Sequence, residues 1–419
     1  MAAIIAPPPA PIGARIDLSG QDFTQHKYAW YSEWIESTPV LDGKISLLKL
    51  KLVTGYEDCR FVLSDPRFVR DRGLAKGKPG SGALPFPMPK SIAAVAKSMI
   101  YEDGEEHLRH RTLVNKAFTS RAVTDFEPRL AALTDELLGD LEGVANRGET
   151  VDLVAGYART IPTRVIAEMM GLSFEEASGF ERSLRVLTEG FSGWNLFRTM
   201  FWDLRATGRF VREVIERKRS EPGDDILTAL IEVEDEGERL TEDALVAMVF
   251  LLMIAGFETT LHLITNGARV LVEHPDQLDR ILKDPGLWDS AVDEIVRHRG
   301  PIHGTKPQYP TEDVEISGVT IPRGTAIMPL LGAANHDPQA FDHPELFDVS
   351  RTPNHHLGFG FGAHFCLGKQ LALLEARAAL RGLFERFPNL RLAVPSEDLE
   401  IVNMPGWHRH ATLPVTLAR

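Results

Sequence analysis

Apolar residues recur at intervals of three and four along most of the chain between residues 105 and 297, which is the spacing of one helix face. The same spacing appears near the start of the chain, where many of these positions are aromatic, and again near its C-terminal end. The sequence therefore predicts helices over residues 26–37, 122–141, 160–170, 202–219, 241–273 and 370–387.

The predicted helix over residues 241–273 is unusually long and is apolar on most of its sides. Thr241, followed by Glu242 and Asp243, is a favourable start, because its hydroxyl can cap free N–H groups and acids suit the positive end of the dipole. A helix that is apolar all round is buried, so we expect it to cross the centre of the protein. Its most apolar run, residues 244–256, is shorter than the ~20 residues that span a bilayer, and no membrane insertion is expected.

Alternation of apolar and polar residues marks the strands. Residues 46–54 alternate as a half-buried strand does, and residues 314–321 predict a hairpin with a Ser-Gly turn. Residues 73–90 are rich in Gly and Pro and predict a long loop, and the last segment alternates weakly as strands. The predicted fold class is mainly α (α+β), rich in helix, with small β-sheets near the two ends of the chain.

Composition excludes several classes of protein. The chain has 419 residues, of which 43% are hydrophobic and 25% charged, and its net charge of −13 argues against a general nucleic-acid binder. The Pro-rich start lacks the basic region and apolar core of a signal peptide, so residues 1–20 are predicted to be a flexible tail and the protein cytoplasmic. Two cysteines, Cys59 and Cys366, cannot build a disulfide framework.

The most informative segment surrounds Cys366 and runs Phe-Gly-Phe-Gly-Ala-His-Phe-Cys-Leu-Gly over residues 359–368. Its glycines permit close backbone approach, and the helix predicted after it directs free N–H groups at the sulfur, which favours thiolate over thiol. Thiolate ligation to haem iron promotes O–O cleavage. The alternative is a buried structural cysteine, which is the commoner fate of this residue and our interpretation of Cys59, in an early helix.

A second unusual segment, Ala-Gly-Phe-Glu-Thr-Thr over residues 255–260, lies within the long helix. Gly256 costs about 1 kcal/mol against alanine in a helix interior, and Glu258 is an acid in an apolar run, where an unpaired charge is expensive. The hydroxyls that follow can bond back to helical carbonyls and open the turn. These features suit a groove that holds oxygen and water beside an acid. The alternative is a helix kink with a surface acid.

The first segment resembles the haem-binding signature of the cytochrome P450 family at Phe359, Gly362, His364, Cys366 and Gly368. The resemblance implies a single P450 catalytic domain over residues 21–419 and a haem b cofactor (iron protoporphyrin IX). It also implies that Cys366 is the axial ligand of the iron and that the aromatic residue shields its sulfur. Phe359, Gly360, His364 and Gly368 are accordingly predicted to contact the cofactor.

The second segment resembles the oxygen-activation motif of the same family. By that resemblance Thr259 holds the activated oxygen through hydrogen bonds, and Glu258 helps deliver protons to it. Ala255 and Gly256 leave room over the haem and are predicted to contact it.

Further motifs follow in family order. Glu294 and Arg297 match the Glu-x-x-Arg motif, and Arg351 matches the third member of its buried charge triad, with a role in folding and haem incorporation. One departure concerns the arginine that usually binds a propionate before the hairpin: that place holds Gln308, with Lys306 nearby.

The haem propionates need cationic or hydrogen-bonding partners. His107 and Arg111, four residues apart, resemble the family helix that supplies them, and His364 is a third candidate. We interpret Arg109 and His110 as solvated surface charges.

Substrate contacts are predicted from apolar residues in the segments that cover the haem in this family. The candidates are Phe86, Leu187, Phe191, Ile302 and Met404, and for each the alternative is ordinary core packing. His303 and Trp407 are weaker candidates. An apolar or amphipathic substrate is expected.

The resemblance implies a monooxygenase that hydroxylates, or epoxidises, an apolar small molecule with O2. Electrons come from a separate ferredoxin or flavodoxin and its reductase, which are expected to dock on the Cys366 side near Lys369. The protein is expected to be a monomer. The alternatives are a peroxide-driven or non-oxygenating haem-thiolate enzyme, against which Glu258 and Thr259 argue, and a haem-thiolate binding or sensor protein.

Overall fold

The computed structural model describes residues 9–11, 13–77, 98–118, 120–189, 204–234 and 237–418. For residues 120–122, 184–189, 204 and 205 this description covers the main chain alone.

Helices make up most of the described chain. They are α1 (Gln21–Ser37), α2 (Tyr56–Ser64), α3 (Arg72–Ala75), α4 (Gly104–Ala117), α5 (Ser120–Ala145), α6 (Thr160–Met169), α7 (Phe174–Glu189), α8 (Leu204–Ser220), α9 (Ile226–Glu232), α10 (Glu242–Glu273), α11 (Pro275–Lys283), α12 (Trp288–Arg299), α13 (Leu331–Ala334) and α14 (Lys369–Arg386).

The strands are short and form small sheets. They are β1 (Ile16–Asp17), β2 (Val40–Ile45), β3 (Leu48–Val53), β4 (Phe68–Val69), β5 (Thr150–Asp152), β6 (Tyr309–Pro310), β7 (Val314–Ile316), β8 (Val319–Ile321), β9 (Ile327–Pro329), β10 (Arg391–Leu392) and β11 (Pro414–Thr416). The mainly helical α+β fold with small sheets is therefore confirmed.

The chain contacts divide into two compact units. The first comprises Met1–Ser81, Ser290–Cys366 and Glu400–Arg409. It contains a four-stranded sheet in the order β1-β2-β3-β9, in which β2 and β3 are antiparallel and the other two pairs are parallel. Helix α1 packs its aromatic residues, among them Trp30 and Trp34, into the same core as strand residues of this sheet.

The second unit comprises Gly82–Asp289, Leu367–Leu399 and His410–Arg419. It contains the long helix α10, the helices that pack against it, and a three-stranded sheet in the order β10-β11-β5. Helix α10 begins as predicted, because the Thr241 side chain accepts a hydrogen bond from the Ala244 N–H at 3.3 Å.

Helix α10 is also the one helix among the described residues with the length and apolar composition to cross a membrane. However, 61% of its most apolar window is buried inside the protein, which is what a helix in a protein core requires.

The predicted hairpin is confirmed as strands β7 and β8. Ser317 and Gly318 both have positive φ angles, 46° and 76°, which match the twist of a two-residue hairpin turn. The loop predicted over residues 73–90 begins later, since Gly73–Ala75 belong to helix α3, and most of it lies outside the described residues.

Candidate active site

The Cys366 loop has a defined main-chain geometry within the first unit. The Cys366 N–H donates to the Phe359 carbonyl at 2.9 Å, and the Phe365 N–H donates to the Gly362 carbonyl at 3.1 Å. Gly362 has a φ angle of +70°, and a Cβ on it would collide with the Leu63 carbonyl oxygen, so only glycine fits there. Cys366 itself is half-buried, as are Gly360 and His364.

The chain enters helix α14 within three residues of Cys366. Gly368 occupies the N-cap position without a side-chain cap, and its carbonyl accepts the first bond of the helix, from Ala372 N–H at 2.9 Å. The 18-residue helix directs its positive dipole end toward this part of the chain. The N-terminal end of a helix favours thiolate over thiol at a nearby sulfur.

Cys59 has the opposite environment. It is fully buried in helix α2, and its Sγ donates to the Val53 carbonyl at 3.3 Å. Burial, followed by the nearby Asp58 charge, raises the pKa of the Cys59 thiol well above its ordinary value. Cys59 is therefore a protonated structural cysteine, as predicted.

In the second unit, helix α10 exposes part of the segment singled out from the sequence. Ala255 is exposed and Gly256 and Thr259 are half-buried, although most of the surrounding helix is buried. Thr259 Oγ1 donates to the Ala255 carbonyl at 2.6 Å, so the predicted back-bonding occurs. A Cβ on Gly256 would lie 2.5 Å from Ile166 Cδ1, so glycine allows α10 to pack closely on α6.

Glu258 is buried, with 8% of its surface exposed, which excludes the alternative of a surface acid. Its Oε2 atom lies 3.3 Å from Nε2 of His262, one turn further along helix α10, and His262 is 3% exposed. Sequence reasoning missed His262. The i, i+4 spacing of an acid and a histidine in an apolar helix was the available signal.

Helix α4 carries the predicted propionate-binding pair. His107 is buried and Arg111 half-buried, four residues apart on the same face. Arg109 is exposed, as predicted, and pairs with a surface glutamate. The interpretation of His110 as a surface charge is wrong: it is 5% exposed, and its Nδ1 atom lies 2.7 Å from Glu102.

The charge triad is present in the first unit. Arg297 makes two hydrogen bonds with the Glu294 carboxylate, at 2.7 and 2.8 Å, and both residues are at most 1% exposed. Arg351 Nε lies 3.1 and 3.2 Å from the two oxygens of the same carboxylate. Two guanidinium groups and one carboxylate leave one excess positive charge. The Arg297 guanidinium also donates hydrogen bonds to three main-chain carbonyls, whose dipoles stabilise this charge.

The two residues at the atypical propionate position differ in exposure. Gln308 is 4% exposed, and its main chain pairs with Ile327 in both directions at 2.8 Å. Lys306 is exposed.

The candidate substrate residues differ in whether the structure describes their side chains and in how deeply those side chains are buried. Phe86 and Phe191 lie outside the described residues, and Leu187 belongs to helix α7 with its side chain outside the description. Ile302 and Met404 are half-buried in the first unit and lie on neighbouring segments, since Ile302 forms a β-bridge with Trp407, whose N–H donates to the Met404 carbonyl.

Of the weaker candidates, Trp407 is half-buried, whereas His303 is 2% exposed, with tyrosine hydroxyls within 3 Å of both ring nitrogens. Its ring is therefore occupied inside the protein, and the prediction that it contacts substrate is wrong.

A family model described as "Cytochrome P450" matches residues 60–285 and 286–403 of the chain. The chain belongs to the cytochrome P450 family. It is 36% identical to 6-deoxyerythronolide B hydroxylase of Saccharopolyspora erythraea, over 91% of this chain and 94% of that protein. It is also 36% identical to vitamin D(3) 25-hydroxylase of Pseudonocardia autotrophica, over 96% of each chain.

Among solved structures, a myxobacterial cytochrome P450 in complex with myristic acid matches this P450 with a TM-score of 0.87 and 32% identity. The match covers 96% of this chain and 99% of the other. With these relatives, the protein is a P450 monooxygenase of the bacterial type, in a family that includes hydroxylases of secondary metabolism.

P450 proteins bind haem b through a cysteine thiolate, and haem b is the cofactor of this protein. The donors present in the structure fit that group. Cys366 is a half-buried thiol at the start of a helix, and His107, Arg111 and His364 are donors for carboxylates.

Proposed function

We propose that this P450 hydroxylates, or epoxidises, an apolar small molecule, and that Cys366 is its axial haem ligand. Haem b, when bound, supplies the activation of dioxygen that inserts one oxygen atom into the substrate. The observation that carries the proposal is the Cys366 loop, in which the main chain is fixed by hydrogen bonds and the sulfur precedes helix α14. The helix dipole holds the Cys366 sulfur as a thiolate, ready to ligate a metal.

The remaining cofactor contacts come from groups on several elements. His107, Arg111 and His364 bind the two propionates through charge-assisted hydrogen bonds. Phe359 and Gly360 in the loop, Gly368 at the start of α14, and Ala255 and Gly256 on α10 are small or flat enough to lie against the porphyrin. In this proposal Phe359 also keeps water from the thiolate, and the hydrogen bond from the Cys366 N–H to its carbonyl holds the two residues together in the loop.

Thr259 and Glu258 supply the polar groups for dioxygen chemistry. The Thr259 hydroxyl has its proton committed to the Ala255 carbonyl, so its lone pairs are oriented to accept a hydrogen bond. The Glu258 carboxyl holds or releases a proton one residue away, and His262 fixes its position by the contact at Oε2. Thr259 and Glu258 are the catalytic residues in this proposal, and His262 is a positioning residue.

The substrate is apolar in this proposal. The names of the two relatives given above include 6-deoxyerythronolide B and vitamin D(3), and the similar myxobacterial structure holds myristic acid. Ile302 and Met404, both half-buried, are the substrate contacts for which the structure describes a side chain. Phe86, Leu187 and Phe191 complete the proposed set.

In this proposal residues 21–419 form a monomeric catalytic domain, and the protein is cytoplasmic. Electrons come from a separate ferredoxin or flavodoxin and its reductase. The surface offered to this partner is the Cys366 loop, where Phe365 is 37% exposed and Lys369 follows three residues after the ligand. A positive group there attracts an acidic partner and raises the association rate.

The test is the absorption spectrum of the dithionite-reduced, CO-bound protein. The strongly red-shifted Soret band of a thiolate-ligated haem is expected in the wild type and in Cys59→Ala, and it should be lost in Cys366→Ala. A histidine-type spectrum in freshly prepared, folded wild type would refute the proposal. Substrate-dependent NADH consumption with ferredoxin and its reductase then distinguishes a monooxygenase from a haem-thiolate sensor.

A further inference from the structure

Helix α1 directs a polar face into the protein interior. Thr24, Lys27, Tyr28 and Tyr31 lie at helical spacing on one face, and Thr24, Lys27 and Tyr31 are at most 5% exposed. The buried face of a helix is ordinarily apolar, so these polar groups need partners inside the protein. Many of the partners belong to residues 403–408, which we name the C-terminal segment.

Side chains of α1 hold both ends of the C-terminal segment. Lys27 Nζ donates to the Trp407 carbonyl at 2.8 Å. The Thr24 hydroxyl lies 3.1 Å from Asn403 Oδ1 and 3.2 Å from the Gly20 carbonyl, and these two acceptors share its one proton. Asn403 Nδ2 in turn donates to the carbonyl of Ser19, which lies just before the helix. These hydrogen bonds fix the segment at Asn403 and at Trp407, four residues apart along the chain.

His303 is held by the same helix. Tyr31 Oη lies 2.8 Å from His303 Nδ1, and Tyr28 Oη lies 2.9 Å from Nε2, which is also 3.1 Å from the Gly300 carbonyl. A carbonyl only accepts hydrogen bonds, so the proton of the neutral ring is on Nε2 and Tyr31 donates to Nδ1. Burial, followed by the Lys27 charge, lowers the pKa of His303 well below its ordinary value, which keeps the ring neutral.

The main chain joins His303 to the C-terminal segment. The His303 N–H donates to the Gly406 carbonyl at 2.8 Å, and Ile302 pairs with Trp407 in a β-bridge. Ile302 precedes His303, and Met404 belongs to the C-terminal segment. Helix α1 therefore fixes the backbone that carries both proposed substrate contacts.

Lys27 has an unusual electrostatic environment. In the part of the chain that the structure describes, no carboxylate lies within ion-pair distance of it. The titratable and charged groups around it are Tyr28 and Tyr31 from α1, Arg299 from the end of α12, and His303, His336 and His408. Burial, followed by the Arg299 charge, lowers the pKa of Lys27 to about 7. Above that pH the amine is mostly neutral and keeps its N–H donor for Trp407 without the cost of a buried charge.

We propose that Lys27 and His303 are positioning residues for the substrate. Lys27 binds the C-terminal segment from helix α1, and His303 is held by two tyrosines of the same helix. Together these hydrogen bonds fix the backbone that carries Ile302 and Met404. The inference rests on the proposed function, in which Ile302 and Met404 contact an apolar substrate. It assigns a specificity role to helix α1, to which the proposed function gives neither a haem contact nor a proton donor of the reaction.

The test uses the haem-loaded protein and two azoles, of which one reports access to the haem iron and the other also reports the shape of the apolar pocket. Imidazole needs only space to ligate, whereas clotrimazole also fills the apolar volume around the ligation site. In Lys27→Met and in Tyr31→Phe, the Kd of clotrimazole should rise about fivefold, as expected for the loss of one net hydrogen bond of about 1 kcal/mol. The Kd of imidazole should stay unchanged, as should the CO-bound spectrum.

Lys49→Met, the same substitution at an exposed lysine, is the control and should change neither affinity. The Kd of clotrimazole for Lys27→Met, divided by that for the wild type, should shrink from pH 8 to pH 6. At the lower pH the protonated Lys27 ammonium is repelled by Arg299, so the wild type also binds clotrimazole less tightly. The same ratio for Tyr31→Phe should not shrink.

Two outcomes would overturn the inference: unchanged clotrimazole affinity in both variants, or an equal loss for both azoles, which would place the effect at the haem. Failure of the proposed function is distinguishable, because it appears in the CO-bound spectrum of the wild type. Tyr31→Phe keeps the test decisive if Lys27→Met does not fold.

Discussion

Glu258 and His262 lie one turn apart on helix α10, with Oε2 and Nε2 3.3 Å from each other and both side chains buried. In the proposed function Glu258 is a proton donor, and the contact with His262 on the same helix face fixes the orientation of its carboxyl. The pair therefore links the core of the long helix to the proton supply proposed for catalysis.

Substitution of His262 by Phe should impair proton delivery through Glu258. Because the carboxyl loses the group that orients it but is itself retained, kcat should fall about tenfold, which is less than the roughly 10²–10⁴-fold that a general acid–base group contributes. The solvent deuterium isotope effect on kcat should rise, while haem content and the CO-bound spectrum stay as in the wild type. An unchanged isotope effect would show that His262 does not act through Glu258.

The hydroxyl of Thr259 should control how efficiently reductant is used. Thr259→Val keeps the shape of the side chain but removes the lone pairs that Thr259 offers beside Ala255, so more NADH should be converted to hydrogen peroxide and less to product. Thr259→Ser keeps the hydroxyl and is the matched control. The measurement is the ratio of product to NADH consumed, with an apolar compound that shifts the haem spin state. Equal coupling in the Val and Ser variants would contradict the role.

The Glu294–Arg297 ion pair should be essential for stability. Arg297→Leu leaves the Glu294 carboxylate buried with one guanidinium fewer, and breaking a buried pair in this way costs about 3–5 kcal/mol of unfolding free energy. Arg381→Ala, which removes an exposed partner of Glu385, should cost less than about 1 kcal/mol. Denaturant unfolding of the two variants compares them directly, and similar losses would contradict the assignment of the triad as structural.

Lys27 should make the stability of the protein depend on pH in the alkaline range. The pKa of Lys27 is about 7 in the folded protein and 10.5 in the unfolded chain. Between these pH values Lys27 binds a proton in the unfolded chain but not in the folded protein, so lowering the pH favours unfolding. The stabilisation from neutral Lys27 is complete above pH 10.5 and is lost as the pH falls to 7, by about 1.4 kcal/mol per pH unit.

Lys27→Met removes this titration. The unfolding free energy of the variant minus that of the wild type should therefore decrease steadily from pH 7 to pH 9.5, as measured by urea unfolding at each pH. Lys49→Met, at an exposed position, should give a constant difference. A constant difference for Lys27→Met as well would show that Lys27 titrates normally.

Charge reversal at Lys369 should slow reduction of the haem. Lys369→Glu repels an acidic redox partner, so the association rate should fall several-fold and the loss should diminish at high salt. Lys283→Glu makes the same change on helix α11 and should have little effect. Stopped-flow reduction by ferredoxin measures both, and equal rates would place the docking surface elsewhere.

Periodicity predicted the elements that the sequence encodes locally. Helix α6 was predicted over residues 160–170 and occurs at Thr160–Met169, and the cap of helix α10 by Thr241 is confirmed. The partners of single side chains were less predictable. His303 was taken for a substrate contact, but it is buried between two tyrosines about 270 residues away along the chain, as its hydrogen bonds to Tyr28 and Tyr31 span 275 and 272 residues.

The same reason explains His110 and Lys27. On helix spacing alone His110 adjoins the exposed Arg109, and its burial beside Glu102 depends on how the chain before helix α4 returns to it. A lysine is almost never fully buried without a partner, so Lys27 gave no sequence signal of its position. Motif spacing supplied the proposed reacting groups, whereas the burial and partners of His110, Lys27 and His303 depend on tertiary packing.

The contrast between the two cysteines has a practical consequence for chemical labelling. Cys59 is buried and held as a thiol by its raised pKa, so it resists alkylation at neutral pH. Cys366 is half-buried just before a helix and is the more accessible sulfur of the pair. In the proposed enzyme bound haem occupies the Cys366 sulfur, so a thiol-specific fluorophore would label only haem-free molecules, each at one position. The labelled fraction would then measure the fraction of molecules without cofactor.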